Sequence, residues 1–292
     1  MRCWRGLALQ AMLSLLLLCA VAADPIRVGS KNFSEQFIVA ELYAGALEAA
    51  GYQVERKLNL GGTTVAHEAL KAGLIDLYPE YTGTGLTLLQ ATAATTNPDD
   101  VFEIVRSGYR RQFGLEWSRR SSVNNGYVVV VRPDAASKLG LVNLSDLSRV
   151  STELSMAITT EFAERGDGLP GLAAVYGIKF GSVRSFTGMR LRYESMLQGR
   201  FEVVSGFATD WQITARQLVT LKDDKGLFPP YELAPVVRAS LSRDQGAIAA
   251  LDRVSASLDT EKMRVLNEQV ERFGREPRDV ASQFLREHGI AP

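Results

Sequence analysis

The spacing of hydrophobic positions along the chain changes repeatedly between a two-residue period and a three-to-four-residue period. Short runs in which apolar residues alternate with polar ones, or are continuous and β-branched, predict strands. The predicted strands are PIRVGS (25–30), YQVERKLNL (52–60), LIDLY (74–78), NGYVVVVRP (125–133), SMAITTEF (155–162) and FEVVSGFATD (201–210). The segments between them carry the helical period.

A helix is predicted after most of these strands. Ile38, Leu42 and Ala46 keep helical spacing after the first strand. We expect Asn32 to cap this helix, with Glu35 three residues later closing a capping box. The other predicted helices lie within GGTTVAHEALKAG (61–73), after Asn97-Pro98, in RLRYESMLQG (190–199), and from Arg243 to His288 with a break near Gly274 and Pro277.

The alternation of strands and helices predicts an α/β fold with mainly parallel sheets covered by helices. The length suits two lobes of about 100–150 residues each. We expect lobe 1 to comprise residues 24–125 and 236–292, and lobe 2 to comprise residues 126–235. The strand at Tyr127 would be the first crossing between lobes, and Tyr231 to Val237 the return. Two crossings imply a cleft, and clefts between lobes bind small ligands.

The first 23 residues differ from the rest of the chain. Arg2 and Arg5 precede the apolar run LALQAMLSLLLL, and small residues follow at positions 20–23. This order is typical of a cleavable secretory signal peptide, and the apolar run is too short for a membrane anchor. The sequence therefore predicts export to the periplasm after removal of residues 1–23.

Charge and cysteine content argue against several classes of protein. The chain has 33 basic and 33 acidic side chains, so no electrostatic argument favours nucleic acid as a partner. Cys3 and Cys19, the only cysteines, lie in the signal segment, so the mature chain can form neither a disulfide nor a thiolate metal site. His67 and Glu68 resemble neither a metal site nor a catalytic dyad. We therefore expect no metal, no cofactor and no enzyme activity.

The stretch DLYPEYTGTG (76–85) places two aromatic rings and two hydroxyl groups around a Pro-Glu pair. Because proline is unusual inside a regular strand, we expect Pro79-Glu80 to form a bend at the exit of the strand. Tyr78 would then pack in the core. Tyr81 and Thr84 would lie past the carboxyl end of a strand, where open α/β sheets bind their ligands.

Four motifs, in this order, resemble those of one protein family. They are GSKNFSEQ (29–36), LGGTTVAHEAL (60–70), DLYPEYTGTG (76–85) and KDDKGLFPPYELAP (222–235). Over about residues 26–288 the chain resembles the substrate-binding proteins of ABC importers for osmoprotectants such as glycine betaine, choline and carnitine. The resemblance implies a two-lobed periplasmic-binding-protein fold of type II that closes on its ligand. It also implies a monomer that delivers the ligand to permease subunits at the membrane.

The resemblance further implies which residues hold the ligand. A quaternary ammonium group has no N–H to donate, so aromatic ring faces suit it, whereas a ligand carboxylate needs cations, hydroxyls or amides. The family pattern carries over to an aromatic cage of Tyr81, Tyr127, Phe207 and Tyr231, a hydroxyl donor Thr84, and a carboxylate clamp of Lys31 and Arg165.

Two positions in SGFATDW (205–211) depart from the family pattern. Phe207 stands in the region where the family usually has tyrosine, so the ring face is kept and the hydroxyl is lost. Trp211 stands where a glycine often follows the Thr-Asp pair. We expect Trp211 to narrow the cleft or to replace a missing wall of the cage.

Three hypotheses about the function remain open at this point. The first is a receptor for a quaternary-amine osmoprotectant. The second is a receptor of the same fold for a different small cation or an amino acid, and the third and least favoured is an enzyme on this scaffold. Lys31 and Arg165 favour a ligand with a carboxylate over choline, because choline would leave both cations unpaired in a closed cleft.

Overall fold

The computed structural model describes residues 24–91, 95–186 and 189–292. The predicted signal peptide, residues 1–23, lies outside the described residues. Within these ranges no helix combines the length and the apolar character that a membrane crossing needs.

The strands form two five-stranded sheets. The first sheet contains β1 (Ile26–Gly29), β2 (Val54–Lys57), β3 (Leu77–Tyr81), β4 (Leu115–Trp117) and β10 (Leu233–Arg238) in the order β2-β1-β3-β10-β4. The second sheet contains β5 (Tyr127–Val131), β6 (Ser155–Thr159), β7 (Ser182–Phe186), β8 (Val203–Phe207) and β9 (Val219–Leu221) in the order β7-β6-β8-β5-β9. The chain therefore passes to the second sheet before Tyr127 and has returned by Leu233.

Both sheets are mixed rather than mainly parallel. In the first, β1 is parallel to β2 and β3, whereas β10 is antiparallel to β3 and β4. In the second, β6 is parallel to β7 and β8, whereas β5 is antiparallel to β8 and β9. The antiparallel strands β5 and β10 are the first strands after each crossing. The α/β class is confirmed, and the expected parallel character holds for only part of each sheet.

Helices cover the sheets. They are α1 (Ser34–Ala49), α2 (Thr63–Lys71), α3 (Thr82–Leu88), α4 (Pro98–Phe113), α5 (Pro133–Leu139), α6 (Leu144–Leu147), α7 (Thr160–Glu164), α8 (Leu169–Tyr176), α9 (Met189–Leu197), α10 (Trp211–Ala215), α11 (Gln245–Ser257), α12 (Thr260–Glu271) and α13 (Pro277–Glu287). The last three pack against α1 and share one hydrophobic core with the first sheet. The C-terminal helices thus pack on the side of the first sheet.

Pro79 lies inside a strand and not at a bend. The register of β3 with β10 places Pro79 opposite Pro235. Because neither residue has an N–H to donate, the two can face each other only at a non-hydrogen-bonded position of the antiparallel ladder. The predicted bend is therefore wrong, and the strand runs on to Tyr81. Tyr78 is fully buried, as predicted.

The two predicted helix starts have different outcomes. Pro98 is the first residue of α4 and Asn97 caps it, as predicted. Asn32 does not cap α1, because the residue before the helix is Phe33 and no side chain bonds to the first turn. The predicted capping box is wrong, since the carboxylate of Glu35 is buried and bonded to other parts of the chain.

His67 is buried among aromatic rings of lobe 1. Its ring meets those of Tyr109 and Phe113 edge-on, with centroids 5.5 and 4.6 Å apart. Neither ring nitrogen has a hydrogen-bond partner. Burial, assisted by the charge of Lys71, lowers the pKa of His67 below its ordinary value of 6.5. These surroundings fit a structural histidine that stays neutral.

We predict that His67 makes the fold sensitive to acid. The unfolded chain binds a proton that the folded chain disfavours, so the free energy of unfolding falls as the pH drops below about 6.5. Replacing His67→Leu should reduce that loss. Urea unfolding of both proteins at about pH 8 and about pH 5 measures the difference, and equal losses in the two proteins would contradict the prediction.

Candidate functional site

A cavity of about 610 Å³ lies between the two sheets and takes its walls from both lobes. Seven of the eight residues predicted from the sequence line it: Lys31, Tyr81, Thr84, Tyr127, Arg165, Phe207 and Tyr231. The topology explains this convergence. Tyr81 ends β3, Tyr127 begins β5 and Phe207 ends β8, so these rings stand at strand ends that face the cleft.

Tyr127 and Phe207 form one composite aromatic wall. They are directly opposite each other in the antiparallel pair of β5 and β8. Their rings stack with centroids 4.7 Å apart and an interplanar angle of 29°. Phe162 meets the Tyr127 ring edge-on at 5.1 Å. This packing fixes both rings, and the hydroxyl of Tyr127 is buried without a hydrogen-bond partner.

The Thr-Gly steps of α3 allow Tyr231 to approach the helix closely. A Cβ atom added at Gly83 would lie 2.6 Å from atoms of the Tyr231 ring, which is too close for any side chain. Glycine at this position therefore lets the ring rest directly on the backbone of α3. Thr84, the next residue, lines the cavity beside it.

Arg165 enters the cavity already paired with an acid. Its Nε and one terminal nitrogen donate to the two carboxylate oxygens of Asp167 at 2.7 and 2.8 Å. The same terminal nitrogen donates to the Tyr231 hydroxyl at 2.5 Å. Its guanidinium carbon lies 5.5 Å from the centroid of the Tyr127 ring. The hydrogen bonds to Asp167 raise the pKa of Arg165 above its ordinary value.

Lys31 is buried beside the Tyr81 ring and is also paired. Only 3% of its surface is exposed, and its Nζ donates to the fully buried carboxylate of Glu80. The Nζ atom lies 5.3 Å from the centroid of the Tyr81 ring. With Lys31 bonded to Glu80 and Arg165 to Asp167, choline would not leave these two cations unpaired. Lys31 and Arg165 are therefore not the unpaired cations that the sequence led us to expect, and they give no preference for a ligand with a carboxylate.

Glu35 lies behind the Tyr81 ring. Its Oε1 accepts hydrogen bonds from the Tyr81 hydroxyl at 2.6 Å and from Nδ2 of Asn125 at 3.0 Å. Its Oε2 accepts from Nδ2 of Asn267 in α12 at 2.8 Å. Burial raises the pKa of Glu35, and the hydrogen bonds from Tyr81 and Asn267 oppose that effect. Asn267 also donates to the backbone oxygen of Thr209 at 3.1 Å, which links the group to lobe 2.

Two further carboxylates line the cavity near Glu35. Asp210 accepts hydrogen bonds from the Tyr193 hydroxyl and the Phe207 backbone, and burial raises its pKa. Burial by the cleft walls, together with the charges of Asp210 and Glu35, raises the pKa of Glu271 to about 7. Trp211 lies outside the cavity lining, and its Nε1 donates to Glu271 at 3.1 Å. Trp211 thus ties α10 of lobe 2 to α12 of lobe 1.

Sequence reasoning missed the polar side chains that support the rings. Glu35 was assigned to a capping box, and Asn125, Asn267, Asp210 and Glu271 received no role. The sequence signal that could have assigned Glu35 to the site is its position in the GSKNFSEQ motif, four residues after Lys31. Within the described ranges, no group of three or more His, Cys, Asp or Glu side chains is arranged to hold a metal ion.

Two α/β lobes joined by two crossings, with a lined cavity between them, define a two-lobed solute-binding protein. The chain belongs to the family of substrate-binding domains of ABC-type glycine betaine transport systems, whose model matches residues 24–287. This match confirms the resemblance found in the sequence motifs.

Individual relatives agree with this family. The chain is 33% identical over 293 residues to the glycine betaine-binding protein YehZ of Escherichia coli (strain K12), covering 94% of this chain and 96% of the relative. It is also 33% identical over 273 residues to the ergothioneine transport permease/ergothioneine binding protein EgtU of Helicobacter pylori (strain G27). That match covers 93% of this chain and 49% of the relative, so the chain spans about half the length of EgtU.

A solved structure agrees as well. A crystal structure described as a glycine betaine/carnitine/choline ABC transporter superposes with a TM-score of 0.83 at 28% identity. The superposition covers 91% of this chain and 99% of that one. This agreement confirms the two-lobed fold over nearly the whole length of the chain.

We predict that the ion pair of Lys31 and Glu80 is needed for stability. Lys31→Met leaves the Glu80 carboxylate buried without a cation, which should lower the free energy of unfolding by about 3–5 kcal/mol. The double variant Lys31→Met/Glu80→Gln also removes the unpaired charge of Glu80, and it should recover much of the lost free energy of unfolding. Urea unfolding measures both, and a double variant no more stable than the single one would count against the pair.

Proposed function

We propose that this protein captures a quaternary-ammonium osmoprotectant such as glycine betaine in an aromatic cage between its lobes. It then delivers the ligand to the permease of an ABC importer, without chemical change. The observation that carries the proposal is that the four predicted cage residues, Tyr81, Tyr127, Phe207 and Tyr231, line a single cavity. Aromatic faces are the surfaces that attract a methylated cation, which cannot accept or donate hydrogen bonds.

The location and organisation follow from the same proposal. The signal peptide predicted at residues 1–23 directs the protein to the periplasm, where it acts as a monomer. Lobe 1 comprises residues 24–125 together with the C-terminal part of the chain, and lobe 2 follows from residue 126. The division of the strands between two sheets supports these lobes, and β10, which begins at Leu233, belongs to the sheet of lobe 1.

A larger betaine is the second candidate ligand. The cavity volume of about 610 Å³ falls within the range of about 300–1,000 Å³ that holds drug-sized ligands, which leaves room beyond glycine betaine. Ergothioneine, the ligand in the name of the Helicobacter pylori relative, is a betaine with an added ring. The wider alternatives, a different small cation or an amino acid, belong in the same comparison.

Titration calorimetry tests the proposal. The mature, ligand-stripped protein is titrated with glycine betaine, choline, carnitine and ergothioneine, and with glycine as the control that lacks a trimethylammonium group. Saturable binding of at least one quaternary amine, without binding of glycine, is the expected outcome. No heat with any quaternary amine up to about 1 mM, which corresponds to about −4 kcal/mol of binding free energy, would overturn it.

We predict that the ring face of Tyr81 carries most of its contribution to binding. Tyr81→Ala should weaken the binding of a quaternary amine by up to about 2 kcal/mol, or roughly 30-fold, and Tyr81→Phe should weaken it less. Calorimetry of both variants measures the losses. Tyr52→Ala, a tyrosine of lobe 1 that bonds Asp244 away from the cavity, is the control. Equal losses for the two Tyr81 variants would argue against a cation–π role.

A further inference from the structure

We propose that Glu35 is a specificity-determining residue, and that it makes the cavity select ligands of net positive charge over zwitterions. This inference rests on the proposed function, because it takes a quaternary amine to be the occupant of the cavity. It differs from the family pattern used above, in which cations receive a ligand carboxylate. The favoured class is therefore a quaternary amine with no carboxylate.

Neutral groups hold the carboxylate of Glu35, and the hydrogen bonds from Tyr81 and Asn267 favour its charged form against the effect of burial on its pKa. Only 4% of its surface is exposed, and its hydrogen bonds come from the hydroxyl of Tyr81 and the amides of Asn125 and Asn267. Hydrogen bonds of this kind hold a carboxylate in place without cancelling its charge. A cation placed against the Tyr81 ring would therefore feel the field of Glu35, because the protein between them screens charge less than water does.

The two cations that line the cavity, Lys31 and Arg165, do not neutralise the charge of Glu35, because each is already paired with another acid. Lys31 is bonded to Glu80, and Arg165 is bonded to both oxygens of Asp167. A ligand carboxylate would have to share these cations with acids that already hold them. It would also approach Asp210 and Glu271, which line the cavity with Glu35. The field of Glu35 thus attracts a cation and opposes a second negative group.

The bond between Tyr81 and Glu35 adds to this preference. The Tyr81 hydroxyl donates to a carboxylate, and this bond makes the ring richer in electrons and its face more attractive to a cation. Choline carries such a cation and no carboxylate.

The test compares choline with glycine betaine, which carry the same trimethylammonium group and differ in the other end. We expect the wild-type protein to bind choline at least about tenfold more tightly than glycine betaine by calorimetry. Glu35→Gln keeps the shape of the side chain and removes the charge. It should weaken choline binding at least about tenfold and glycine betaine binding much less, so that the preference disappears.

Glu41→Gln is the matched control. Glu41 lies on the same helix, is buried to a similar degree and pairs with Arg56 away from the cavity, so this variant should keep the wild-type preference.

A double-mutant cycle of Glu35→Gln with Tyr81→Phe measures how much of the effect of Glu35 on choline binding depends on its bond to the Tyr81 hydroxyl. Part of it acts through the ring of Tyr81, so the two losses for choline should be less than additive.

The outcomes separate the inference from the proposed function. If the wild-type protein binds neither ligand, nor any other quaternary amine, the proposed function fails and the inference fails with it. If it binds glycine betaine as tightly as choline, or if Glu35→Gln weakens both ligands equally, the inference alone fails and Glu35 has only a structural role. Thermal unfolding of each variant checks that the fold is intact.

Discussion

One buried carboxylate, that of Glu35, joins the segments that build the ligand cavity. Its helix α1 supports the three C-terminal helices, and its oxygens bond to the end of β3, to the first crossing and to α12. A buried charge is tolerated only when hydrogen-bond donors surround it. The need to satisfy this one group therefore keeps Tyr81, Asn125 and Asn267 at fixed distances from one another, and the cavity wall is the result.

The cations near the cavity, like Glu35, are held by polar partners. Lys31 and Arg165 each lie close to an aromatic ring, and each has its own acid, Glu80 or Asp167. Removing Glu80 would leave the charge of Lys31 in a poorly solvated place, which is costly. The ring faces and the charged groups thus form one arrangement, in which each cation is held by its partner before any ligand arrives.

Local patterns predicted most of the elements, and distant partners account for what they missed. The family resemblance supplied the four rings, at Tyr81, Tyr127, Phe207 and Tyr231, that line the cavity. The predicted capping box at Glu35 is wrong. A glutamate three residues after Asn32 fits a capping box in the local sequence, but its carboxylate bonds instead to Asn125 and Asn267, which are far away in the sequence. Pro79 was misplaced because its partner Pro235 is far away in the sequence.

The contact between Gly83 and Tyr231 fixes the position of one cavity wall independently of the charged and polar side chains that line the cavity. Because the ring rests on the main chain of α3, the position of that wall is set by backbone geometry and not by the choice of a neighbouring side chain. Substitutions at other wall positions can then change charge and hydrogen bonding while the frame keeps its dimensions. A scaffold of this kind can acquire a new ligand through a few side chains, without rebuilding its fold, and its relatives carry the names of different ligands.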